Sequence, residues 1–323
     1  MKFTRFGAAV IVAAGFVASA SAQVQIDGPE CVAPANPGGG FDLTCRVAQT
    51  GLDPHIDAPV QVTFMPGGIG AVAYNLFNST RTDDASSIVA FSTGSLLNIV
   101  TGKYGAFTEK DVRWVGTAGA DFGAVVVRAD SDYSELSQLM DDFSADPSSV
   151  VVGAGGSVGS QDWMKGALLL REAGAKPMDM RYVAFDGGGD AIAALLGGSI
   201  EVYMGDVGEM VPHIESGQMR LLAVMSPERL EAPFAEIPTA MEQGFDVEWT
   251  ILRGFYMGGD VSDEDYQKWV DAFEAAYATE EFAAVQKERG LLPLNLAGDA
   301  LQTSIEERVE SLRAIAKEAG LIN

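Results

Sequence analysis

The stretch VVVGAGGSVGSQDW, residues 150–163, decides how the chain is read. Three β-branched residues run into a glycine cluster and then into a helix-like segment, the strand, tight turn and helix of an α/β unit. Within it, Gly155-Gly156-Ser157-Val158-Gly159 also fits G-x-S-x-G, the elbow that presents a nucleophilic serine. The same alternation extends both ways. VQIDGPECVAP, PVQVTFMP and SSIVAFST read as strands, with FDLTCRVAQTGL and GGIGAVAYNLFNST as the helices between them. The segment NIVTGKYGAFTEKDV reads as a loop, followed by two strands in RWVGTAGAD and GAVVVRADSD. SELSQLMDDFSADP is a helix with Ser134 as its N-cap. Beyond VVVGAG, the strands MRYVAF, SIEVYMG, MRLLAVMS and VEWTILRGFYMG alternate with helices, and two helices close the chain. Alternation of this kind indicates α/β architecture with mainly parallel sheets.

The first 22 residues read as a secretory leader. Lys2 and Arg5 precede an apolar run from Phe6 to Val17, and Ala20-Ser21-Ala22 offers a small-x-small cleavage site. Cleavage after Ala22 leaves 301 residues (323 − 22) and takes the formal charge from −24 to −26 by removing two cations. So acidic a surface repels nucleic acid and anionic membrane, so neither is expected as a partner. In an oxidising compartment Cys31 and Cys45 are expected to pair and rigidify the loop between the first strand and first helix; two separate buried thiols is the alternative.

About 300 residues suit two domains. The chain is expected to cross from one α/β lobe to another near residue 123 and return near 248. That makes residues 23–122 with 248–323 a discontinuous first lobe and 123–247 a second, hinged on two crossing strands. One continuous sheet would give a similar string of elements.

Catalysis finds little support. A hydrolase built on Ser157 needs an acid and then a histidine. The chain holds only His55 and His213, and Asp162, Asp186, Asp190 and Asp206 fit the acid equally well. No G-x-G-x-x-G, G-K-[ST], H-x-x-x-H, C-x-x-C or EF-hand pattern is present, so no cofactor or metal is expected. What stands out is four glycine-rich turns after strands and before helices: 35–40, 66–70, 155–159 and 186–189. Each puts unpaired N–H groups at the positive end of a helix, a ready anion site. Two turns fall in each lobe, so together they can grip a carboxylate across a cleft.

APANPGGGFDLTCR followed by MPGGIGAVAYNLF resembles the opening of the tripartite tricarboxylate transporter receptors, the TctC/Bug family. The likeness continues through FSTGSLLN, VAFDGGGDAIAALLGGSIEVYMGD, VPHIESGQMRLLAVMSPERL and EIPTAMEQGFDVEWTILRGFYM, spanning residues 31–257. The resemblance implies a monomeric, periplasmic, two-lobed binding protein of the type II, Venus-flytrap kind, with a hinge between two α/β sheets. It implies no catalysis, and delivery of a small di- or tricarboxylate to a permease with large and small membrane subunits. Carried over by position, the ligand contacts are Ala35, Pro37, Gly38 and Gly39 of the first loop, and Gly67, Gly68 and Ile69 of the second. Thr93 and Ser95 follow the third strand, and Ser157, Gly159 and Ser160 come from the second lobe. Asp206 stands where members often carry a small polar residue. An acid there repels a carboxylate, so it is expected to accept from a ligand hydroxyl or amine, or to lie aside. Arg253, on the returning strand, is the candidate for bidentate carboxylate binding, with a surface ion pair as the alternative. Arg46 is expected to pair on the surface, and Asp42 to cap the first helix. A sensor docking to a membrane kinase would share the same receptor.

Overall fold

One strand of 17 residues runs through both halves of the molecule, and the rest of the fold is arranged about it. The computed structural model describes residues 23–318 and 321–322; the expected leader, residues 1–22, lies outside the described residues. In chain order the first half contains β1 (Glu30–Ala33), α1 (Gly40–Gly51), β2 (Gln61–Phe64), α2 (Ala71–Phe77), β3 (Ser87–Ser92) and α3 (Thr93–Val100). The long strand β4 (Val112–Arg128) follows, then α4 (Leu136–Ala145), β5 (Val152–Gly155), α5 (Gln161–Glu172), β6 (Tyr182–Phe185) and α6 (Gly188–Leu196). After these come β7 (Val202–Asp206), α7 (Val211–Glu215), β8 (Met219–Val224), β9 (Thr250–Gly258), α8 (Asp263–Tyr277), α9 (Glu280–Glu288) and α10 (Gly298–Glu318).

The strand order is β2-β1-β3-β9-β4-β7-β5-β6, with β8 also on β4. Pairs β1–β2, β1–β3, β5–β6 and β5–β7 are parallel, while every pair involving β4 or β9 is antiparallel. The partner of β4 changes between adjacent residues: Phe122 still pairs with Thr250 of β9, but Gly123 already pairs with Asp206 of β7. The molecule is thus an α/β, two-lobed binding-protein fold whose two sheets meet on one strand.

Three local expectations are corrected. The two strands read from RWVGTAGAD and GAVVVRADSD are one, because the irregularity is absorbed as register shifts around Gly116 and Gly119 rather than as a break. Gly119, at φ 145°, takes the conformation closed to other residues. The loop expected after β3 begins instead as α3. Ser92 Oγ accepts from Gly94 N, and Ser95 Oγ accepts from Ser92 N, so a capping box starts the helix inside the S-T-G-S run. Finally, Glu135 rather than Ser134 occupies the N-cap of α4, because the Gln138 side chain accepts from both backbone N–H groups ahead of the helix.

Two apolar layers cover the β1–β3–β9 sheet. Val32, Phe91, Trp114 and Tyr256 pack with α2, α3 and α10 on one face. Phe41, Cys45, Phe255, Trp269 and Phe273 pack with α1, α8 and α9 on the other. Cys31 of β1 and Cys45 of α1 are both fully buried and disulfide-bonded, tying the first glycine loop down at both ends. Closing a loop of this length restricts the unfolded chain by about 3 kcal/mol. The Cys31→Ala/Cys45→Ala variant is therefore expected to lose about that much in urea unfolding, with unchanged stability counting against the assignment.

Candidate ligand-binding site

Four helices point their N-termini at one cavity between the two sheets. Gly39 and Gly40 open α1, Ser92 and Gly94 open α3, Ser160 and Gln161 open α5, and Gly187 and Gly188 open α6; all line the same space. Each start leaves N–H groups without helical acceptors, and the aligned peptide dipoles make these ends positive. The cavity measures about 50 Å³, room for a few waters or a very small solute.

The cleft is shut around it. Asn36 Nδ2 donates to Asp190 Oδ2 at 2.9 Å, and Ile69 N donates to Asp186 Oδ1 at 3.0 Å. At the rim, Lys103 Nζ donates to Val158 O at 2.9 Å and to Ser157 Oγ at 3.3 Å. The two triple-glycine turns meet across the gap: a Cβ on Gly39 would lie 2.9 Å from Gly189 N, and one on Gly189 would collide with Pro37 O. These glycines thus serve the approach of one backbone to another as well as the helix starts.

Charge is concentrated at the floor. Arg253 of β9, 1% exposed, donates from Nε to Asp121 Oδ2 at 2.8 Å and from Nη2 to Asp206 Oδ2 at 2.6 Å. Lys165 of α5, fully buried, donates to Asp206 Oδ1 at 2.6 Å, Gly205 O at 2.7 Å and Asp162 Oδ1 at 2.8 Å. Glu209, in the 3₁₀ turn after β7, accepts from Tyr203 Oη at 2.5 Å. Six ionisable groups therefore meet at the floor, four acids against two bases, five of them buried and Asp162 half-buried. Burial pushes the Asp206 carboxyl up, but Lys165 and Arg253 outweigh it and hold it below the usual carboxylate range. Burial wins at Asp121 and Asp162, whose carboxyls are raised despite their cationic partners. At Glu209, burial and the Asp206 charge push the carboxyl up to about 8.

Of the carried-over contacts, Ala35, Gly39, Ile69, Ser160, Asp206 and Arg253 line the cavity. Pro37, Gly38, Gly67, Gly68, Thr93, Ser95, Ser157 and Gly159 do not. Pro37 and Gly38 lie at the closing contact with Gly189. Gly67 and Gly68 form the turn before α2, and of that turn only Ile69 lines the cavity. Thr93 and Ser95 are buried in the first turn of α3, where Thr93 Oγ1 accepts from Leu252 N and Ser95 completes the capping box. Ser157 is exposed at the rim, and His213 lies on α7 beside Gln218, so no Ser–His pair forms. Arg253 is neither free nor on the surface, since two protein carboxylates already hold it. Asp206 does not lie aside; it is the acid that both bases share. Arg46 pairs with Asp42 at 3.0 Å as expected, while Asp42 accepts from Gly38 N rather than capping from the N-cap position, which Gly39 occupies.

Sequence reading missed Asn98, Gln161, Asp162, Lys165, Glu209 and Asp121. Lys165 carried a usable signal, a lone cation within the apolar run WMKGALLL. Gly123 carried another, since a Cβ there would press within 2.7 Å of the buried Lys165 stem.

The raised Glu209 carboxyl has a definite sign in stability. Its folded value of about 8 lies above the ordinary 4.5, so the folded state binds the proton more tightly. The resulting contribution is full at low pH and is lost as pH rises from about 4.5 to about 8. Glu209→Gln removes that loss. Relative to the wild type its Tm is expected to rise steadily across this window and level off above it; parallel Tm–pH curves would show that Glu209 does not titrate there.

The family described as the tripartite tricarboxylate transporter family receptor matches residues 44–321. Protein BugT of Bordetella pertussis is 26% identical over 252 residues, which is 76% of this chain and 76% of BugT. The periplasmic binding protein BugD superposes with a TM-score of 0.80 at 20% identity, over 92% of this chain and 98% of BugD. MatC from Rhodopseudomonas palustris, solved with bound malate, superposes at 0.76 with 18% identity, over 90% of this chain and 99% of its own. With a two-lobed periplasmic-binding fold and a cavity ringed by helix N-termini, the chain belongs to the tripartite tricarboxylate transporter receptor family, TctC.

Proposed function

We propose that the protein captures a small di- or tricarboxylate in the periplasm and delivers it to a tripartite tricarboxylate transporter permease made of large and small membrane subunits. The observation that carries this reading is the convergence of four helix N-termini on one cavity between the two sheets. Each offers backbone N–H donors to a carboxylate without a counter-cation, and a hydrogen bond to a charged group contributes about 1.5–3 kcal/mol. The malate bound to MatC supports the same ligand chemistry.

Capture proceeds by closure. A carboxylate enters the open cleft and binds the N-termini of one lobe. The lobes then rotate about the hinge at Phe122–Gly123, bringing the other pair of helices onto the ligand and excluding water. Nothing in this cycle makes or breaks a covalent bond, and Ser157 serves the rim. The glycine contact sets how far the lobes approach. Gly189 lies inside α6 without a positive φ, so alanine fits its own helix and obstructs only closure. Gly189→Ala is expected to keep its Tm without ligand within about 2 °C while binding at least tenfold more weakly; unaltered affinity would mean that closure does not use this contact.

The reading as a whole is tested by thermal unfolding of residues 23–323 against citrate, tricarballylate, succinate, malate, glutamate and matched monocarboxylates. At one hundred times its dissociation constant a ligand adds about 2.7 kcal/mol, a shift of several degrees for a chain of this size. Stabilisation by polycarboxylates and not by their monocarboxylate counterparts is expected. A flat response across the whole panel would overturn the carboxylate reading.

A further inference from the structure

The two walls of the cavity differ in charge. On the α1–α3 side, the N-terminus of α3 has no acid in its first turn, the one acid of the α1 first turn, Asp42, is paired with Arg46, and the Arg253 guanidinium presses on Gly40 so closely that no Cβ fits between them. On the α5–α6 side the helix starts are already occupied by the protein's own acids. Asp162 sits in the first turn of α5 and accepts from Gly155 N at 3.1 Å. Glu209 lies against Gly188 at the start of α6, where a Cβ would come within 2.7 Å of Oε1.

Three side-chain oxygens at this cavity lack donors. Gln161 turns its Nε2 towards Asp162 and Asp206, which leaves Oε1 buried and unpartnered. Asn98 Oδ1 is likewise buried without a donor. Tyr203 donates to Glu209 Oε2, and among the described residues no hydrogen bond reaches Oε1. Gln161 and Asn98 are both more than nine-tenths buried and line the cavity. Both bases of the floor are held by Asp121, Asp162 and Asp206, so they add no free positive charge. A plain carboxylate satisfies the N–H groups of the α1–α3 wall but brings no donor to these oxygens, and it adds negative charge to a floor already rich in it. A buried acceptor left unpaired is costly, and an ammonium supplies three N–H donors and a positive charge together.

Resting on the carboxylate-receptor reading, the geometry points to a small carboxylate that also carries an ammonium group, its carboxylate on the α1–α3 wall and its ammonium among Glu209, Gln161 and Asn98. The arrangement discriminates by chemistry rather than size: replacing the amine by a hydroxyl leaves one donor, and replacing it by hydrogen leaves none.

Isothermal titration of the mature protein at pH 7 with two matched series tests this: succinate, malate and aspartate, then glutarate, 2-hydroxyglutarate and glutamate. In at least one series the amino compound is expected to bind ten or more times tighter than the unsubstituted diacid, with the hydroxy compound between. A diacid that binds as tightly as its amino counterpart overturns the inference. So does a protein that binds citrate or another amine-free carboxylate while ignoring both amino compounds; either result leaves the receptor reading standing. Failure of every carboxylate overturns the receptor reading, and this inference falls with it. The Glu209→Gln variant is expected to narrow the amino-over-diacid preference by at least fivefold, whereas an unchanged ratio removes Glu209 from the ammonium site. Glu209 is faced by Tyr203 and Asp206 of β7, Arg253 of β9 and Asp162 of α5. With these around it, amine binding is expected to strengthen from pH 7 to pH 9 as the carboxyl loses its proton, and diacid binding to weaken; the opposite signs also overturn the assignment.

Discussion

A guanidinium buried at the junction of two sheets is the constraint on which the rest of this structure depends. Arg253 holds Asp121 of β4 and Asp206 of β7, so three strands that meet where the sheets change partners are fixed by one side chain. Removing one member of such a buried set strands the others as uncompensated charges, at a cost of about 3–5 kcal/mol, although an apolar core of the same shape would be no less stable. The network is therefore better understood as a device for specificity than for stability. It fixes which atoms of β4, β7 and β9 come together, and Gly40 must be glycine for the guanidinium to lie under α1.

The same network settles how the cleft attracts a ligand. Asp206 draws on both Arg253 and Lys165, and Asp162 shares the lysine, so the two cations are engaged before a ligand arrives. What remains for an anion is backbone at the helix starts, above all on the α1–α3 wall, a source of positive potential that needs no flexible side chain. A chain with a formal charge of −24 has to work against its global field to hold an anion. Short-range N–H donors in a low-dielectric cleft would act on such an anion where distant surface carboxylates are screened.

Closure and recognition are built from the same turns. The glycines at 38–40 and 187–189 open α1 and α6, and the same backbone carries the contact between the lobes. A bulkier residue at either place would interfere with both, because the approach is of main chain to main chain. The disulfide between Cys31 and Cys45 anchors the first of these turns to β1, so the loop enters the cleft from a rigid base.

The alternation of strands and helices, the glycine turns and the cysteine pair are local or periodic signals, and each could be read from neighbouring letters. So could the membership of Ala35, Gly39, Ile69 and Ser160 in the cavity, since a residue at the turn between a strand and a helix lies at the end of a sheet whichever way its neighbours pack. α3 escaped because its signal, the S-T-G-S capping box, is short and follows a buried strand without a break. The nucleophile motif around Ser157 could be discounted from the sequence itself, since a nucleophile is defined by partners from elsewhere in the chain and only His55 and His213 are present. Arg253 was legible as important but not in its role. Its carboxylate partners lie 132 and 47 residues away in sequence, and only the sheet order brings them within 3 Å. The sequence by itself determined the architecture and the glycine turns at the helix starts, because backbone geometry follows from nearby residues. Only the tertiary structure decided where the charges are neutralised and which acceptors are left open, because ion pairing depends on distance through space.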